Sequence, residues 1–565
     1  MNKIVVHIAN NRYDTWSFTQ DEIKIDIPSL IPSKHKLFNN DVIRMNDFDI
    51  IICESVVRDS MLAGVLILNT GKTYGRHGKK LLYKCIPDNR LLPAFLVPYE
   101  IPPSFSKATK NRYIVFSFDN WDEAHPLGEI RDTIGEVDSP EAFFEYQLCR
   151  KNLNIPISHL TQTVRSMIKR DGNDEAVYIQ KIMDKYQVED CRNNKNIFSI
   201  DPDSCTDFDD AFSVDFEDGY ATVNVYIANV YLWLETYGLW SHLTNRVSTI
   251  YLPDKKRPML PSLLSDTLCS LKEGCDRFAF MMSVKYDMET KTQVGETVYK
   301  NAVIRVNKNY TYEDRKLGKN PGYKALKTLA LTDDSHDVVA FWMIKMNTEC
   351  AEYLKQKGCG IFRSTCQSKC DLKSKCDLKS KCEDKSDDKN DYKNQTIRNW
   401  LGNNGSSAIY SEVASPHTQL GVESYVHITS PIRRLVDILN QIQFMKLMDV
   451  KITAECQTFL EKWLGKLDDV NRLTKDIRKV QLDCELLAAC VKNQELVNKT
   501  LSGVVFDRYE NEYGYFEYMV YIEELKLMSQ IKMPTYMENF AEKKFRIFIF
   551  NDEHLLCKKI RLQME

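Results

Sequence analysis

Four aspartates stand close together in the sequence: Asp201, Asp207, Asp209 and Asp210. Alternating apolar residues before Asp201 and after Asp210 predict two short strands, and Pro202 with its polar neighbours predicts a turn between them. Such a turn folds the first aspartate back toward the other three, so that four carboxylates can converge. Carboxylates that lie close together repel, and some of them take up a proton unless cations neutralise them.

Divalent cations are one solution to this repulsion, and Mg²⁺ is the natural cation for carboxylate oxygens. Two such ions about 3.5–4 Å apart can activate a water and stabilise the leaving oxygen of a phosphoryl displacement. Taken alone, the four aspartates leave two alternatives open, a solvated acidic loop and a calcium-binding loop. A calcium loop of the EF-hand type is disfavoured because its glycine and its final glutamate are missing.

A second segment, residues 427–439, places two arginines at a predicted helix start. Ser430 is a favourable N-cap, Pro431 suits the first helical position, and the apolar residues that follow recur at helical spacing. Arg433 and Arg434 would then lie in the first turn, where the helix dipole disfavours positive charge. This placement predicts an anion at the helix start, and phosphate is the obvious candidate. Ion pairs with acidic residues of the core are the alternative.

Together the two segments resemble the RNB family, which includes ribonuclease II, ribonuclease R and the catalytic exoribonuclease subunit of the exosome. The family pattern is Asp-Pro, then Asp-x-Asp-Asp, and much later His-x-Thr-Ser-Pro-Ile-Arg-Arg, in the order found here. Further blocks that match lie at residues 246–253, 258–261, 268–271 and 310–313. The segment around Trp121 and His125 resembles a cold-shock domain, and the end of the chain resembles an S1 domain. We expect no exosome-type endonuclease domain before the cold-shock pair.

The resemblance implies a 3′→5′ exoribonuclease that hydrolyses single-stranded RNA to nucleoside 5′-monophosphates with two Mg²⁺ ions, for which Mn²⁺ can substitute. It implies four metal ligands: Asp201, Asp207, Asp209 and Asp210. Asp209 and Arg433 would serve catalysis, and Arg433 would stabilise the charge that develops on the scissile phosphate. Tyr251 and Tyr312 would pack against the terminal nucleotides, and Arg434 would join Arg433 in contacting RNA. Stacking on aromatic rings tolerates any base, which suits a nuclease without sequence preference.

Some positions depart from the family pattern. Leu435 replaces a tyrosine after the arginine pair, and Asn440 with Gln441 replaces His-Arg further along the same predicted helix. Phe341 replaces a family glutamate, and Asp483 or Glu485 stands where a late helical glutamate is expected. These changes concern the grip on RNA and its translocation, and they leave the four aspartates untouched.

The elements that must position these residues form a multidomain fold. Two cold-shock-like OB barrels are predicted at residues 1–60 and 61–138, and a helical connector follows at 139–195. A mixed α/β RNB catalytic domain is predicted at 196–497 and an S1-like OB barrel at 498–565. The barrels are predicted from short β-branched runs separated by turn residues, and the α/β body from strands followed by a helical stretch over residues 459–497.

A repeated segment interrupts the predicted catalytic domain at residues 366–396. The unit Lys-Cys-Asp-Leu-Lys-Ser recurs there and then decays into Asp, Lys and Asn. Its recurring cysteines, which could form a metal-binding tract, do not have the close CxxC spacing of zinc sites: Cys366, Cys370, Cys376 and Cys382. The segment has almost no large apolar residues, so it cannot bury a core. We therefore predict a disordered insertion.

Composition limits the function classes. Hydrophobic residues make up 43% of the 565-residue chain, which is enough for ordinary cores, and the net charge of -3 leaves room for a local basic surface. The 17 cysteines and the absence of a long apolar run predict a reduced, cytoplasmic-type compartment and no membrane association. We expect a monomer that binds single-stranded RNA. A catalytically inactive RNA-binding relative and a metal-regulated scaffold are the competing functions.

The repeated segment generates the first prediction. Replacing residues 366–393 with a short Gly/Ser linker should leave ribonuclease activity nearly unchanged, because loop-closure entropy grows only slowly with length. Activity of the two proteins on the same RNA, together with the zinc content of the native protein, checks this. A collapse of activity in the replacement, or stoichiometric zinc in the native segment, would contradict it.

Overall fold

The computed structural model describes residues 3–46, 49–102, 109–172, 174–193, 196–365, 396–397, 400–401, 408–510 and 514–565. Residues 366–395 of the predicted insertion lie outside these ranges. The chain forms small all-β units at both ends and a mixed α/β body between them. Among the described helices, none combines the length and the apolar character that a membrane crossing requires.

The first unit is a five-stranded sheet in the order β3-β2-β1-β4-β5. Its strands are β1 (Ile4–Ile8), β2 (Trp16–Gln20), β3 (Ile23–Ile25), β4 (Val42–Met45) and β5 (Ile50–Glu54). Alternating burial along β1, with Ile4, Val6 and Ile8 inward, places one face of the strand in the core. The predicted strand at this position is therefore confirmed.

The second unit is a closed barrel, entered through the short helix α1 (Val56–Asp59). Its strands are β6 (Met61–Leu66), β7 (Arg76–His77), β8 (Lys80–Pro87), β9 (Phe95–Tyr99), β10 (Arg112–Asn120) and β11 (Leu127–Glu136). Strand β6 pairs with both β10 and β8, so five strands close on themselves, and β7 extends the sheet beyond β8. Closure leaves the barrel without an open edge.

The first two units share one hydrophobic core, in which Phe38 of the first packs on Phe95 and Phe118 of the second. Arg58 of α1 lies over this contact, with its guanidinium 4.8 Å from the Phe38 ring and 5.1 Å from the Phe118 ring. Its Nη1 is 2.7 Å from Oδ2 of Asp41, whose side chain has no exposed surface. A buried ion pair thus anchors the joint between the two barrels.

Three helices connect the barrels to the α/β body: α2 (Pro140–Arg150), α3 (Ser158–Arg170) and α4 (Glu175–Lys185). The predicted start of α2 is confirmed, because Ser139 caps the helix by accepting a hydrogen bond from the N–H of Ala142. Tyr146 of α2 stacks on Tyr113 of β10 with ring centroids 4.0 Å apart, which fixes the helix against the second barrel.

The body is built on a seven-stranded sheet in the order β12-β19-β18-β15-β14-β13-β20. Its strands are β12 (Glu189–Asp190), β13 (Phe198–Asp201), β14 (Asp210–Glu217), β15 (Tyr220–Ala228), β18 (Asp276–Asp287), β19 (Gln293–Arg305) and β20 (Lys308–Thr311). Two small hairpins flank it, formed by β16 (Ile250–Tyr251) with β17 (Lys256–Arg257) and by β21 (Phe362–Thr365) with β22 (Ala408–Ser411). Strand β13 is buried along its whole length, as a central strand should be.

Helices cover this sheet: α5 (Val230–Thr236), α6 (Pro321–Ala330), α7 (Ser335–Gln356), α8 (Leu435–Leu447), α9 (Ala454–Leu464) and α10 (Leu467–Lys492). The predicted helical stretch over residues 459–497 is divided, because α9 ends at the Gly465 C-cap and α10 begins at Leu467.

The last unit has five strands in the order β25-β24-β23-β26-β27, the same order as in the first unit. They are β23 (Leu501–Glu510), β24 (Phe516–Ile522), β25 (Leu527–Met533), β26 (Glu542–Asn551) and β27 (Lys558–Met564). This unit contacts the second barrel, since the backbone N–H of Lys558 donates to the Tyr113 hydroxyl at 2.9 Å and Arg90 pairs with Asp552. Three small β units around an α/β body confirm the predicted fold class.

The barrel joint generates the second prediction. Arg58→Met removes the partner of a fully buried carboxylate and should lower the free energy of unfolding of the N-terminal barrels by about 3–5 kcal/mol. Urea denaturation followed by tryptophan fluorescence measures this change. Arg12→Met at an exposed position is the matched control and should change it by less than about 0.5 kcal/mol. Equal unfolding midpoints for the two variants would show that the pair does not hold the joint.

Candidate active site

The carboxylate loop, residues 202–209, connects two paired strands of the central sheet. Asp201 is the last residue of β13 and Asp210 is the first residue of β14, and the two strands are antiparallel. The predicted turn is present, with the N–H of Cys205 donating to the Pro202 carbonyl at 2.9 Å. The predicted strand, turn and strand are therefore confirmed.

The Ser270 hydroxyl fixes the middle of this loop by two hydrogen bonds. It accepts from the Phe208 N–H at 2.9 Å and donates to the Thr206 carbonyl at 3.0 Å. Because Ser270 is fully buried, the two bonds are shielded from water. The conformation of the carboxylate loop is thus fixed by hydrogen bonds within the protein, without a bound metal ion.

Two of the four aspartates have cationic protein partners. Asp209 is 4% exposed and its Oδ2 lies 3.0 Å from Nε of Arg433, while its Oδ1 accepts the N–H of Ile432 at 3.1 Å. Oδ1 of Asp207 lies 3.1 Å from Nζ of Lys256, and its Oδ2 is 3.4 Å from the Tyr251 hydroxyl. These contacts compensate part of the negative charge that the sequence concentrates here.

The other two aspartates keep an uncompensated oxygen. Oδ2 of Asp201 and Oδ2 of Asp210 are buried and have no hydrogen-bond partner in the described part of the chain. Burial raises the pKa of Asp201 to about 6 and that of Asp210 well above its ordinary value, and the charge of Asp201 raises the pKa of Asp210 further. Burial likewise raises the pKa of Asp209 to about 7, against the opposing effect of Arg433. A bound cation would relieve these costs.

The donor set therefore fits a divalent cation, since hard oxygen ligands stand unpartnered in a buried place. The charges of Asp201 and Asp209 raise the pKa of Asp210, and the charge of Asp207 raises the pKa of both Asp201 and Asp209. Within the described ranges, however, no three Asp, Glu, His or Cys side chains are already arranged as a metal-holding group. Lys256 occupies one oxygen of Asp207 and Arg433 one oxygen of Asp209, which keeps those two carboxylates turned to the protein's own cations.

The predicted helix start at Ser430 and Pro431 is wrong, because α8 begins at Leu435. Arg434 has an extended backbone, with φ −134° and ψ 129°, and bridges to Ser248 as a strand would. The carbonyl of Arg433 accepts from the Thr249 N–H at 3.0 Å, and the Leu435 N–H donates to Val247 at 3.0 Å. The N–H groups of Arg433 and Arg434 still donate to the Ser430 carbonyl, but pairing with residues 247–249 takes the Arg433 carbonyl and the Leu435 N–H, so this turn does not continue into α8.

The two arginines consequently differ in their surroundings. The Arg433 side chain is 44% exposed, so it can reach a ligand while it contacts Asp209. Nη2 of Arg434 lies 2.9 Å from Oδ1 of Asp437, whose side chain has no exposed surface. The same Asp437 oxygen accepts the Ser430 N–H at 2.7 Å. Arg434 thus positions the segment that carries Arg433, and its predicted RNA contact stays a prediction.

Tyr251 and Tyr312, which were predicted to pack against nucleotides, both lie beside the aspartates. Tyr251 is 39% exposed and reaches Asp207 with its hydroxyl. Burial raises the pKa of the Tyr312 phenol, and the nearby charges of Asp210 and Asp201 raise it further. Its ring stacks on His336 with centroids 3.7 Å apart and an interplanar angle of 14°. Each ring is therefore placed where it can border a ligand of the carboxylate loop.

Three contributors were not predicted from the sequence. Lys256 pairs with Asp207, His336 supports Tyr312, and Ser270 fixes the carboxylate loop. Ser270 lies inside a block that matches the family and Lys256 lies between two such blocks. That position is the only feature of the sequence that could have indicated them. His336 lies in the first turn of α7, and no local pattern marks it.

The residues that depart from the family pattern make contacts that hold the protein's own structure together. The Asn440 amide donates to the carbonyls of His427 and Ile361 at 2.9 and 3.1 Å, and the Gln441 amide donates to Ala228 at 2.9 Å. Both side chains are fully buried, so α8 is tied to the backbone on either side of the site. Phe341 packs its edge on Trp342 within α7, and Asp483 lies 3.4 Å from Lys479 within α10.

Comparison with known proteins finds relatives of the body of the chain. The RNB domain model matches residues 189–317 and 322–449, which include every candidate site residue. Exosome complex exonuclease dis3 of Schizosaccharomyces pombe is 26% identical over 317 residues, which are 53% of this chain and 31% of that protein. The chain thus spans less than a third of the length of that relative.

Two solved structures share the fold of almost the whole chain. RNase R of Mycoplasma genitalium, in complex with ribose-methylated single-stranded RNA, has a TM-score of 0.64 at 17% identity and covers 99% of this chain and 100% of its own. Yeast Ssd1, described as a pseudonuclease, has a TM-score of 0.54 at 13% identity and covers 94% and 79%. The match to the RNB domain model covers a little under half of the chain, and the two solved structures share the multidomain architecture of almost all of it.

Proposed function

We propose that the chain is a hydrolytic 3′→5′ exoribonuclease that degrades single-stranded RNA to nucleoside 5′-monophosphates. The observation that carries this proposal is the pair of buried, unpartnered oxygens of Asp201 and Asp210 beside the half-exposed Arg433. Oxygen ligands for a divalent cation and a cation for a phosphate are thereby placed in one site. RNA bound by the Mycoplasma RNase R supports the substrate class.

RNB exoribonucleases in general depend on divalent metal ions. In this chain Asp201, Asp207, Asp209 and Asp210 would hold them, and we propose two Mg²⁺ ions, for which Mn²⁺ can substitute. When bound, the ions would supply an activated water and neutralise charge on the leaving oxygen. Asp207 and Asp209 would each have to share or release a protein cation, since Lys256 and Arg433 contact them now.

The remaining chemistry belongs to the chain's own side chains. Arg433 would orient the scissile phosphate and stabilise the charge that develops on it, held in place by Asp209 and by the Ser430 hydroxyl, which accepts from its Nη2 at 2.9 Å. Tyr251 and Tyr312 would border the terminal nucleotides, with His336 fixing the plane of the Tyr312 ring. These side chains would contact the phosphate and the faces of the bases. Every nucleotide has both, so the contacts impose no sequence preference.

We further propose the division into barrels, connector and body at the predicted boundaries, a monomeric state and a reducing, cytoplasmic-type compartment. Each small β unit and the body form a separate sheet, which supports the boundaries near residues 60, 138 and 498. Every cysteine in the described ranges is a free thiol, which supports the compartment: Cys53, Cys85, Cys149, Cys191, Cys205, Cys269, Cys275, Cys350, Cys359, Cys456, Cys484, Cys490 and Cys557.

A second candidate function is RNA binding without catalysis. The shared fold with the pseudonuclease Ssd1 favours it, as do the two protein cations that already pair with Asp207 and Asp209. The retention of all four aspartates favours the enzyme instead, because burying Asp201 and Asp210 without a cation is costly.

The decisive experiment is incubation of a 5′-labelled single-stranded RNA with the protein and Mg²⁺, followed by sizing of the products. We expect steady shortening from the 3′ end to mononucleotides and no reaction in excess chelator. The same sequence as DNA should bind but resist cleavage, because discrimination between the two must sense the 2′-OH. Internal cuts, or equal rates on RNA and DNA, would refute the proposal, and binding without any cleavage would favour the second candidate.

Site variants separate binding from chemistry. Asp209→Asn should lower turnover by more than about 100-fold and leave RNA affinity within a few-fold, since phosphate contacts elsewhere hold the strand. Asp203→Asn, at an exposed position of the same loop, is the matched control and should retain activity. Arg433→Ala should lower kcat by about 10²–10³-fold. A change confined to KM in Arg433→Ala would argue against its role in the transition state.

A further inference from the structure

Lys256 brings a second protein cation to the carboxylate loop, in addition to Arg433. It lies on strand β17, where the register of the hairpin pairs it with Tyr251 of β16. Residues that are paired directly in an antiparallel hairpin place their side chains on the same face, with Cβ atoms about 4.5–5.5 Å apart. The ammonium and the Tyr251 hydroxyl accordingly both contact Asp207, at 3.1 and 3.4 Å. The hairpin therefore presents a cation and an aromatic ring together at one aspartate.

Three oxygens surround the Lys256 ammonium. Its Nζ lies 3.1 Å from Oδ1 of Asp207, 2.9 Å from Oδ1 of Asp266 and 2.7 Å from the Thr206 hydroxyl. An ammonium has three N–H groups, so these three oxygens can use all of them. A divalent cation on Asp207 would compete for the first of these bonds, while the other two would keep the ammonium in its place. One N–H group would then be available to a ligand.

Asp266 compensates the charge of Lys256 from outside the carboxylate loop. It lies in the helical turn Leu263–Leu268, its side chain is 24% exposed, and the Ser265 hydroxyl donates to its Oδ1 at 2.7 Å. Like charges repel, so an ammonium beside a divalent cation needs a carboxylate of its own. Asp266 meets this need, because its contact with Lys256 does not depend on Asp207.

The formal charges of the site leave room for one phosphate. Five carboxylates, those of the four aspartates and of Asp266, stand against Lys256 and Arg433. The two divalent cations proposed above would leave one positive charge in excess, and a phosphodiester carries one negative charge. With a neutral residue in place of Lys256, the same assembly would be negative, which opposes the binding of a polyanion.

We propose that Lys256 contacts the scissile phosphate together with Arg433, and that Asp266 holds Lys256 in position for this contact. The inference rests on the proposed function for the identity of the substrate. It adds Lys256 to the site as a catalytic residue and Asp266 as a positioning residue. Preformed cations stabilise the charge that develops on a phosphate during displacement. The rival role is structural, in which Lys256 only neutralises Asp207 and fixes the carboxylate loop.

The test compares Lys256→Gln with Lys255→Gln, a matched control at the adjacent exposed position. With a short single-stranded RNA in Mg²⁺, the kcat of Lys256→Gln should fall by about 10²-fold, as when one charge-stabilising group is removed, and that of the control should be unchanged. Lys256→Arg retains the cation and should remain within about tenfold of wild type. Lys256→Arg also provides a second reading should Lys256→Gln fail to fold, which circular dichroism reveals.

Binding of Mn²⁺ without RNA separates the catalytic role from the structural one. Electron paramagnetic resonance of free Mn²⁺ measures the affinity. Lys256→Gln should bind Mn²⁺ at least as tightly as wild type, because Asp207 loses a competing cation. Weaker Mn²⁺ binding that accompanies the loss of turnover would show that the lysine only orders the loop, and it would overturn the proposal.

A double-mutant cycle tests the positioning role of Asp266. Asp266→Asn should lower kcat in the wild-type background and have no further effect in the Lys256→Gln background, because it acts through the lysine. Equal effects in the two backgrounds would show that Asp266 acts independently of Lys256.

Adenosine 5′-monophosphate provides a reading that does not depend on hydrolysis. Its affinity in the presence of Mn²⁺, measured by isothermal titration calorimetry, should fall about tenfold in Lys256→Gln and stay unchanged in Lys255→Gln. If wild type releases no mononucleotides from RNA, the proposed function fails, and this affinity alone decides the role of Lys256. In an active protein, an unchanged kcat of folded Lys256→Gln overturns the proposal, and in an inactive one equal affinities of the two variants do so.

Discussion

The site depends on the Asp209 carboxylate, which joins two segments more than two hundred residues apart. One oxygen accepts the Ile432 N–H and the other contacts Arg433, so the carboxylate loop and the arginine segment cannot move independently. Desolvation raises the pKa of this group, and Arg433 favours its charged form. Because the pair is buried on the carboxylate side, breaking it would leave a charge without a partner, which is far more costly than the pair is stabilising. The central sheet positions the carboxylate loop, and α8 positions the arginine segment, so that the two meet at this contact.

The carboxylate loop could be predicted from the sequence because its signals are local. Apolar alternation gives β13 and β14, and the polar turn residues give the reversal between them, so the placing of Asp201 beside Asp210 needs no knowledge of the rest of the chain. The start of α8 could not be predicted in the same way. Ser430 and Pro431 are good helix-start residues, yet the backbone of Arg434 bridges to Ser248, and that partner is invisible to a local pattern. His336 behind Tyr312 was missed for the same reason.

The buried amides of α8 show how the body tolerates departures from the family pattern. Asn440 and Gln441 stand where charged residues are expected, and each bonds to backbone groups on elements that flank the site. An amide can donate and accept at once, so it satisfies buried peptide groups without the desolvation cost of a charge. Neutral side chains can therefore maintain the architecture of the body at positions that do not include the metal-binding candidates.

The contact between the last β unit and the second barrel affects the order in which parts of the chain can fold. Leu555 and Cys557 belong to the same hydrophobic core as the α/β body, and the Lys558 N–H bonds to Tyr113 in the second barrel. A ribosome releases these residues only after the first two units and the α/β body have been synthesised. Apolar surface of the body and of α2 therefore stays uncovered until residues 555–558 have been synthesised, and co-translational folding of the first two units cannot by itself complete the core.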